Sequence, residues 1–372
     1  MHNGVLFGDV VAFSGNVESE TTSDRLTDPV IWRFEKSRSW ETKKMRLPPA
    51  GGSVWKGRKT MKTVFMFSGQ GSQYAGMGKE LYENYETAKK VFDTADEVLG
   101  YSISRICFED EQMLGQTEFA QPAILTMSIA AMEVLKEHGI RADMTAGLSL
   151  GEYSAYVASG AMKFEEAVAL VQKRGKFMAE AVPSGQGAMY AVIGLDTELV
   201  EQACEQAEKS GNGLVIPANY NCPGQTVIAG TAQAAQEAAE IAREMGAKMA
   251  VKLKVSGPFH TPLLEPAAKR LSPELQKLEI GEMEIPVYTN VDASVVASSQ
   301  EIVPILEKQI VSPVRFEDIV RNMNAAGADT YIELGPGKSL CGFVKRTLKG
   351  MTILNVEDQK SLEKTLSKLA QA

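Results

Sequence analysis

The sequence predicts an α/β protein in which a small βαββαβ subdomain is inserted into a larger domain built on a parallel sheet. Three observations lead to this prediction. The apolar run at 63–67 stops at Ser68-Gly69, which is typical of a buried parallel strand. Strand and helix patterns then alternate from Met61 onwards. Residues 185–256 interrupt this alternation, because they place two strand patterns around a Pro-Gly turn.

The elements of the large domain follow from apolar periodicity and from residues that begin or end helices. The segment 80–99 carries its apolar residues on one helical face. A buried helix is predicted to begin at Pro122 and to end before Gly139. In chain order, strands are predicted at 63–67, 144–147 and 331–334, and helices at 80–99, 122–138, 151–160, 165–182 and from about Ser339.

The inserted block has its own order of elements. Strands are predicted at 187–195, 213–219, 225–230 and 248–255, and helices at 197–209 and 231–245. This βαββαβ order is the ferredoxin-like arrangement. We therefore predict a ferredoxin-like subdomain at 185–256, set into a core formed by 61–184 and 257–365.

Residues 1–60 differ in composition from the rest of the chain. They contain all three tryptophans, and they show neither a sustained helical or strand period nor the apolar core of a signal peptide. Two interpretations stay open. The segment is a disordered extension, natural or added as a tag or fusion, or the start is misassigned and Met61 is the natural first residue.

Composition excludes several functional classes. A chain of 372 residues with 44% hydrophobic and 23% charged residues is ordinary for a globular protein. The net charge of −8 argues against a nucleic-acid binder, and no apolar run is long enough to span a membrane. The four cysteines lie far apart without a CxxC pair, which indicates reduced thiols in a cytoplasmic protein and no zinc site.

The segment Gly147-Leu148-Ser149-Leu150-Gly151 fits the G-x-S-x-G pattern between a predicted strand and a predicted helix. A nucleophile elbow holds its serine in a strained backbone conformation, so it needs glycine on both sides. The amide of Leu150, at the helix N-terminus, would point towards a developing oxyanion. Ser149 is therefore the candidate nucleophile. The alternative is an ordinary glycine-rich turn from strand to helix.

A serine nucleophile needs a base, and the chain has three histidines. His2 lies in the doubtful extension, and His138 lies at a predicted helix C-terminus, where histidine commonly interacts with the helix dipole. His260 lies in a rigid loop just after a predicted strand. By elimination His260 is the candidate base, and the chain order of serine before histidine suits an α/β-hydrolase-like large domain.

Arg174 lies on the apolar face of the helix predicted at 165–182, at spacings of three and four from Val171 and Met178. A cation on an apolar face is costly unless it is paired or extends to water. Two interpretations stay open: the side chain extends to solvent, or its planar fork receives a carboxylate in a closed pocket.

Two glycine-rich segments only partly match nucleotide-binding motifs. In the segment beginning Gly69-Gln70-Gly71, Tyr74 occupies the place of the third glycine of a dinucleotide fingerprint. In the segment ending Lys338-Ser339, Ile332 stands where a phosphate loop begins with glycine. Neither segment supports a nucleotide cofactor, and we expect no metal or organic cofactor.

Taken together, these motifs resemble the malonyl-CoA:acyl carrier protein transacylases of fatty acid synthesis, over residues 61 to about 365. The motifs that carry the resemblance are Gly69-Gln-Gly-Ser-Gln73, Gly147-Leu-Ser-Leu-Gly-Glu152, Arg174-Gly-Lys-Phe-Met178, Asn219-Tyr-Asn-Cys-Pro-Gly-Gln225, Ser256-Gly-Pro-Phe-His260, Ser312-Pro-Val-Arg-Phe316 and Gly335-Pro-Gly-Lys338. Each motif is modest by itself, but their common order makes chance implausible.

The resemblance implies a Ser149–His260 dyad rather than a full triad. His260 would be oriented by the backbone carbonyl of Gln309 instead of an acidic side chain. The oxyanion hole would be formed by the amides of Gln70 and Leu150. The implied cycle is ping-pong, with a malonyl ester on the serine between the two half-reactions.

The resemblance also implies the substrate contacts. Arg174 would clamp the malonyl carboxylate, and Phe259 would belong to the malonyl-selecting form of its loop. Met178, Asn221 and Gln309 would line the acyl pocket. The implied partners are malonyl-CoA and holo acyl carrier protein, without nucleic acid or membrane, and we expect a monomer.

The sequence departs from this family at two positions, and two other functions stay open. Leu148 replaces the histidine usual before the nucleophile, and Ser68 replaces the proline usual before Gly-Gln-Gly. A serine hydrolase or thioesterase would share the nucleophile and base but would use water as the acceptor. A catalytically silent carrier-binding module would bind carrier protein without forming an ester on Ser149.

Overall fold

The structure, a computed structural model, describes residues 61–371. The interpretations of residues 1–60 and of His2 fall outside this part of the chain. The strands of the described residues are β1 (Thr63–Phe67), β2 (Met144–Gly147), β3 (Gly187–Ile193), β4 (Val215–Cys222), β5 (Gln225–Thr231), β6 (Met249–Lys252), β7 (Val287–Tyr288), β8 (Thr330–Leu334) and β9 (Thr352–Val356).

Helices connect most of these strands. In chain order they are α1 (Lys79–Asn84), α2 (Glu86–Leu99), α3 (Ile103–Glu109), α4 (Glu111–Leu114), α5 (Thr117–Glu137), α6 (Gly151–Ala158), α7 (Phe164–Glu180), α8 (Thr197–Lys209), α9 (Ala232–Glu244), α10 (Glu265–Leu275), α11 (Ile302–Gln309), α12 (Phe316–Ala325), α13 (Ser339–Thr347) and α14 (Gln359–Ala370). Short 3₁₀ helices lie at Pro262–Leu264 and Ser299–Glu301. Among the described residues, none of the helices has both the length and the apolar sequence that crossing a bilayer requires.

A parallel sheet with the strand order β7-β2-β1-β8-β9 forms the centre of the large domain. In its middle, Phe67 of β1 lies opposite Gly147 of β2 and Leu334 of β8. All of β1 is buried, as expected for a parallel strand covered on both faces. Because parallel strands end at the same edge, the loops after β1, β2 and β7 meet there, and this edge is where such sheets bind ligands.

A separate antiparallel sheet has the strand order β4-β5-β3-β6. Helices α8 and α9 cover one of its faces through small side chains that are fully buried: Ala203, Ala207, Ala234, Ala235, Ala238, Ala239 and Ala242. The chain order βαββαβ from β3 to β6 is the ferredoxin-like arrangement. The parallel sheet and this second sheet confirm the predicted fold class.

The inserted elements leave and re-enter the large domain at neighbouring points. Gly187, the first residue of β3, lies so close to the ring of Pro258 that a Cβ at this position would overlap it. Pro258 follows the end of β6 and comes two residues before His260. The return from the antiparallel sheet therefore leads directly to the candidate base.

Two helix predictions were wrong in detail. The segment predicted as one helix at 80–99 is divided into α1 and α2 at Tyr85, whose backbone is extended at φ −130° and ψ 119°. The helix predicted to begin at Pro122 begins at Thr117. Burial of Thr117, Ala120 and Gln121 favours this extra turn, and it outweighs the helix hydrogen bond that proline cannot donate.

Candidate active site

Ser149 occupies a sharp turn between β2 and α6. Its φ is +53°, a left-handed conformation that is uncommon for residues other than glycine. A Cβ on Gly147 would overlap the backbone of Gly151, and a Cβ on Gly151 would overlap the carbonyl of Phe67. The two glycines of the motif are therefore required by close backbone packing, and the strain at Ser149 is held by the strand and helix on either side.

His260 is buried beside this serine. Its Nε2 lies 2.7 Å from Ser149 Oγ, while its Nδ1 lies 3.1 Å from the carbonyl oxygen of Gln309 and 3.2 Å from that of Ser312. Since carbonyl oxygens only accept, Nδ1 carries the proton and Nε2 is free to accept the serine proton. Burial, helped by the nearby Arg174 charge, lowers the pKa of His260 to about 4. The imidazole is therefore neutral at neutral pH, as a base must be.

Arg174 is fully buried on α7 and does not reach solvent. Its Nη2 donates to Ser149 Oγ at 3.1 Å and to Gln309 Oε1 at 3.0 Å, and its Nη1 donates to Gln121 Oε1 at 2.9 Å. All three acceptors are uncharged, and Nε has no hydrogen-bond partner in the described part of the chain. A buried guanidinium whose hydrogen-bond acceptors are all neutral is a favourable site for an anionic group, because an anion would supply the charged acceptor that the nearby Glu152 carboxylate, which makes no hydrogen bond to Arg174 in the described part of the chain, does not supply.

The two predicted oxyanion-hole residues lie at neighbouring strand ends. Gln70 follows β1, and Leu150 is the N-cap residue of α6. The first N–H groups of a helix have no partner within the helix, so the Leu150 amide is available to an oxyanion. The Gln70 side chain donates to Thr117 Oγ1 at 3.1 Å, which fixes the loop that carries its backbone amide.

A cavity of about 520 Å³ opens between the two sheets. Ser149, His260, Met178, Asn221 and Phe259 line it. Its other walls come from the antiparallel sheet, through Met189, Ala191 and Val227, and from the segment that follows β6, through Leu253, Lys254 and Val255. Arg174 and Gln309 are not among the lining residues. They contact the site from its buried side, through the hydrogen bonds to Ser149 and Gln121.

Both positions that depart from the family pattern also line this cavity. Leu148 presents an apolar side chain next to the nucleophile and lies close to Gly69. Ser68 Oγ lies 3.4 Å from Oε1 of Glu333, a buried carboxyl whose pKa is raised to about 7 by burial. Ser68 thus adds a hydroxyl where a proline would have none.

The segment at Lys338-Ser339, which partly matches a phosphate loop, binds a side chain of this protein. The Gly337 N–H donates to Glu357 Oε2 at 3.0 Å, and Lys338 Nζ lies 2.6 Å from Glu357 Oε1. The Glu357 carboxylate is therefore the partner of both the amide and the lysine of this loop. His138 Nδ1 lies 2.9 Å from the Val134 carbonyl at the end of α5.

Three residues of the site had no predicted role. Asn290 follows β7, accepts from Ser149 N through Oδ1 at 2.6 Å and donates to the Gly147 carbonyl through Nδ2 at 2.7 Å. Glu152 is a buried carboxylate in the first turn of α6, and Gln121 accepts a hydrogen bond from Arg174. An acid directly after the G-x-S-x-G pattern was a signal for Glu152. The other two are placed by strand order and helix packing, which the sequence does not show.

Comparison with known proteins places this geometry in a family. The protein-family model of the acyl transferase domain matches residues 64–366 of this chain. The chain belongs to the acyl transferase family. The malonyl CoA-acyl carrier protein transacylase of Bacillus subtilis is 49% identical over 309 residues, which cover 83% of this chain and 97% of that protein.

Solved structures of acyl transferases share this fold. The crystal structure of malonyl CoA-acyl carrier protein transacylase from Clostridium perfringens is 47% identical, with a TM-score of 0.80 over 83% of this chain and 98% of that one. A malonyl-transacylase in complex with its type II PKS acyl-carrier protein is 38% identical, with a TM-score of 0.80 over 82% of this chain and 99% of that one. This chain is accordingly an acyltransferase.

Proposed function

We propose that this acyltransferase moves a malonyl group from malonyl-CoA to the phosphopantetheine thiol of an acyl carrier protein, through an ester on Ser149. One observation carries the proposal. Ser149 Oγ lies 2.7 Å from the neutral base His260 and 3.1 Å from the buried Arg174 guanidinium. A nucleophile, its base and a cation that suits a carboxylate therefore meet at one atom. The names of the relatives agree with this choice of substrates.

The first half-reaction acylates the serine. His260 Nε2 takes the proton from Ser149 Oγ as the oxygen attacks the thioester carbon of malonyl-CoA. The amides of Gln70 and Leu150 bind the oxyanion that forms. The carbon–sulfur bond then breaks, His260 returns the proton to the sulfur, and coenzyme A leaves as its thiol. The carbonyls of Gln309 and Ser312 stabilise the protonated imidazole between these steps.

The second half-reaction is the reverse chemistry on another thiol. The carrier's phosphopantetheine sulfur attacks the malonyl ester while His260 takes its proton, and Ser149 leaves as the protonated alcohol. The cavity between the two sheets gives both thiols one route to Ser149, which suits a ping-pong cycle. Its walls include apolar side chains, which restrict the access of water to the ester.

Arg174 supplies the selectivity for malonyl. When the malonyl carboxylate binds, it gives the guanidinium a charged acceptor in addition to its neutral ones. A substrate without the carboxylate leaves the buried guanidinium without this charged partner, at a cost of roughly 1–3 kcal/mol. The space for the acyl group is bordered by Met178, Asn221 and Phe259. Gln309 accepts a hydrogen bond from Arg174 and so helps to fix the guanidinium.

We also propose a cytoplasmic location and an active monomer. The four cysteines are free thiols, in keeping with a cytoplasmic protein. Ser149, His260 and Arg174 come from one chain, so we expect a monomer to be active.

The test is intact-protein mass after mixing with malonyl-CoA, for wild type and Ser149→Ala, followed by addition of holo carrier protein. We expect a malonyl adduct on the wild type alone, and its discharge to the carrier. Discharge that is equally fast in water alone would instead identify a hydrolase. Carrier binding without any adduct would identify a silent binding module.

A further inference from the structure

A buried carboxylate next to the nucleophile has no step in the mechanism above. Glu152 on α6 is fully buried, and the three groups that donate hydrogen bonds to it within residues 61–371 are all uncharged. Oε1 accepts from the Tyr156 hydroxyl at 3.2 Å, and Oε2 accepts from Asn290 N at 3.1 Å and from Gln309 Nε2 at 2.8 Å. Burial raises the pKa of Glu152 to about 7, so its neutral form is accessible. Such a costly placement calls for a function.

Gln309 connects this carboxylate to the substrate-selecting arginine. Its Oε1 accepts from Arg174 Nη2 at 3.0 Å, and its Nε2 donates both to Glu152 and to the Ser149 carbonyl, the latter at 2.9 Å. A side-chain amide can be turned in two ways, and only one of them gives each neighbour a suitable partner. Glu152 requires a donor and Arg174 requires an acceptor, so together they fix the Gln309 amide.

Asn290 connects the same carboxylate to the nucleophile. Its backbone N–H donates to Glu152. Its side chain accepts from Ser149 N and donates to the Gly147 carbonyl. One carboxylate oxygen, Oε2, thus holds both the residue that supports the elbow and the residue that supports Arg174. These two hydrogen bonds require an acceptor at a set distance from α6, whereas the charge of Glu152 acts on Arg174 separately and without a hydrogen bond between the two in the described part of the chain.

We infer that Glu152 is a positioning residue that sets the preference for malonyl by fixing Gln309, and through it Arg174, against Ser149. The inference rests on the proposed function. It predicts that an uncharged acceptor of the same length at position 152 keeps the preference for malonyl. A shorter carboxylate at this position should lose part of that preference. In Glu152→Gln, the amide oxygen accepts from Asn290 and Gln309, and the amide N–H donates to the Tyr156 hydroxyl.

The experiment compares Glu152→Gln, Glu152→Asp and wild type by the rates of Ser149 acylation from malonyl-CoA and acetyl-CoA, measured by intact mass. We expect the malonyl-to-acetyl ratio of Glu152→Gln to stay within about threefold of wild type. In Glu152→Asp the acceptor is withdrawn by one methylene, and we expect the ratio to fall about tenfold, the effect of roughly one hydrogen bond. Because both rates come from one preparation, a reduced folded fraction cancels in the ratio.

Tyr156→Phe is the matched control. It removes a donor from the same carboxylate but on Oε1, whereas Gln309 and Asn290 donate to Oε2. We expect its ratio to equal that of wild type even where its stability is lower. An unchanged ratio in Glu152→Asp, an equal fall in Glu152→Gln, or failure of Glu152→Gln to fold would each overturn the inference. Absence of any adduct on wild type would instead overturn the proposed function.

Discussion

The two sides of the cavity differ in the kind of side chain that they contain, which is polar and buried on one side and mainly apolar on the other. The floor, at the carboxyl edge of the parallel sheet, buries the polar side chains of Arg174, Glu152 and Gln309 and holds Ser149 and His260 at positive φ. The roof, formed by β3 and β5 of the antiparallel sheet, presents apolar side chains such as Met189 and Val227. On the floor each group depends on its neighbours, because an unmade buried hydrogen bond is costly. On the roof most of the lining side chains are apolar, so shape and apolar area matter most there and substitutions should act locally.

The largest effect should follow from removing the buried cation of the floor. In Arg174→Ala we expect malonyl acylation of Ser149 to fall about 100-fold or more, since charge-assisted bonds to the carboxylate are lost. Acetyl acylation should fall by less than about tenfold, because acetyl has no carboxylate to lose. Single-turnover mass measurements with both thioesters give the two rates.

Arg174→Lys is the control for charge without the planar fork. A lysine keeps the cation but cannot bind a carboxylate bidentately, so its malonyl rate should lie between those of Arg174→Ala and wild type. Equal losses for malonyl and acetyl in Arg174→Ala would contradict the clamp and would leave the arginine a role in holding Ser149 only.

The next effect is on the pH dependence of acylation. Since burial lowers the pKa of His260 to about 4, the base stays neutral well below the usual histidine value of 6.5. The acylation rate should therefore be flat from pH 8 to about 5 and should fall about tenfold per pH unit below about 4. An inflection near 6.5 would show that the imidazole is solvated.

Folding must be followed in the same pH series. Between pH 6.5 and 4 the unfolded chain binds a proton at His260 and the folded chain does not. The stability that His260 contributes above 6.5 is thus lost as the pH falls through this range. Circular dichroism at each pH separates loss of fold from loss of the base.

The smallest effect should follow from a change in the roof. Val227→Ala removes two methyl groups from the cavity wall on β5, where the side chain is buried. We expect both acylation rates to change by less than about fivefold and their ratio to stay constant, with a loss of about 1 kcal/mol in the free energy of unfolding. A fall in the ratio close to that of Arg174→Ala would show that the roof also takes part in selection.

The sequence was most informative about groups that carry a local signature. Ser149 was predicted because the elbow requires glycines around it, and His260 because few histidines compete for the role. Arg174 was noticeable because a cation interrupts an apolar helix face. Asn290 was beyond prediction, because it follows a strand of only two residues, Val287–Tyr288. Its contact with Ser149 arises from the pairing of β7 with β2, which is a property of strand order.

The same limit explains the helix boundaries. Tyr85 divides one amphipathic pattern into two helices without a glycine or proline to mark the break, and the turn before Pro122 forms because its residues are buried. Both outcomes depend on packing between distant segments. Local propensity describes one segment at a time, so it cannot weigh them.

The contact between Gly187 and Pro258 has an architectural consequence. An insert whose two ends are neighbours behaves like a module, because exchanging it leaves the path of the host chain unchanged. The roof could in this way be traded between related enzymes to reshape the space above the nucleophile while the chemistry below stays intact. Pro258, where the chain returns to the large domain, lies two residues before His260. An exchanged subdomain would therefore keep the enzyme active only if the number of residues between Pro258 and His260 stayed the same.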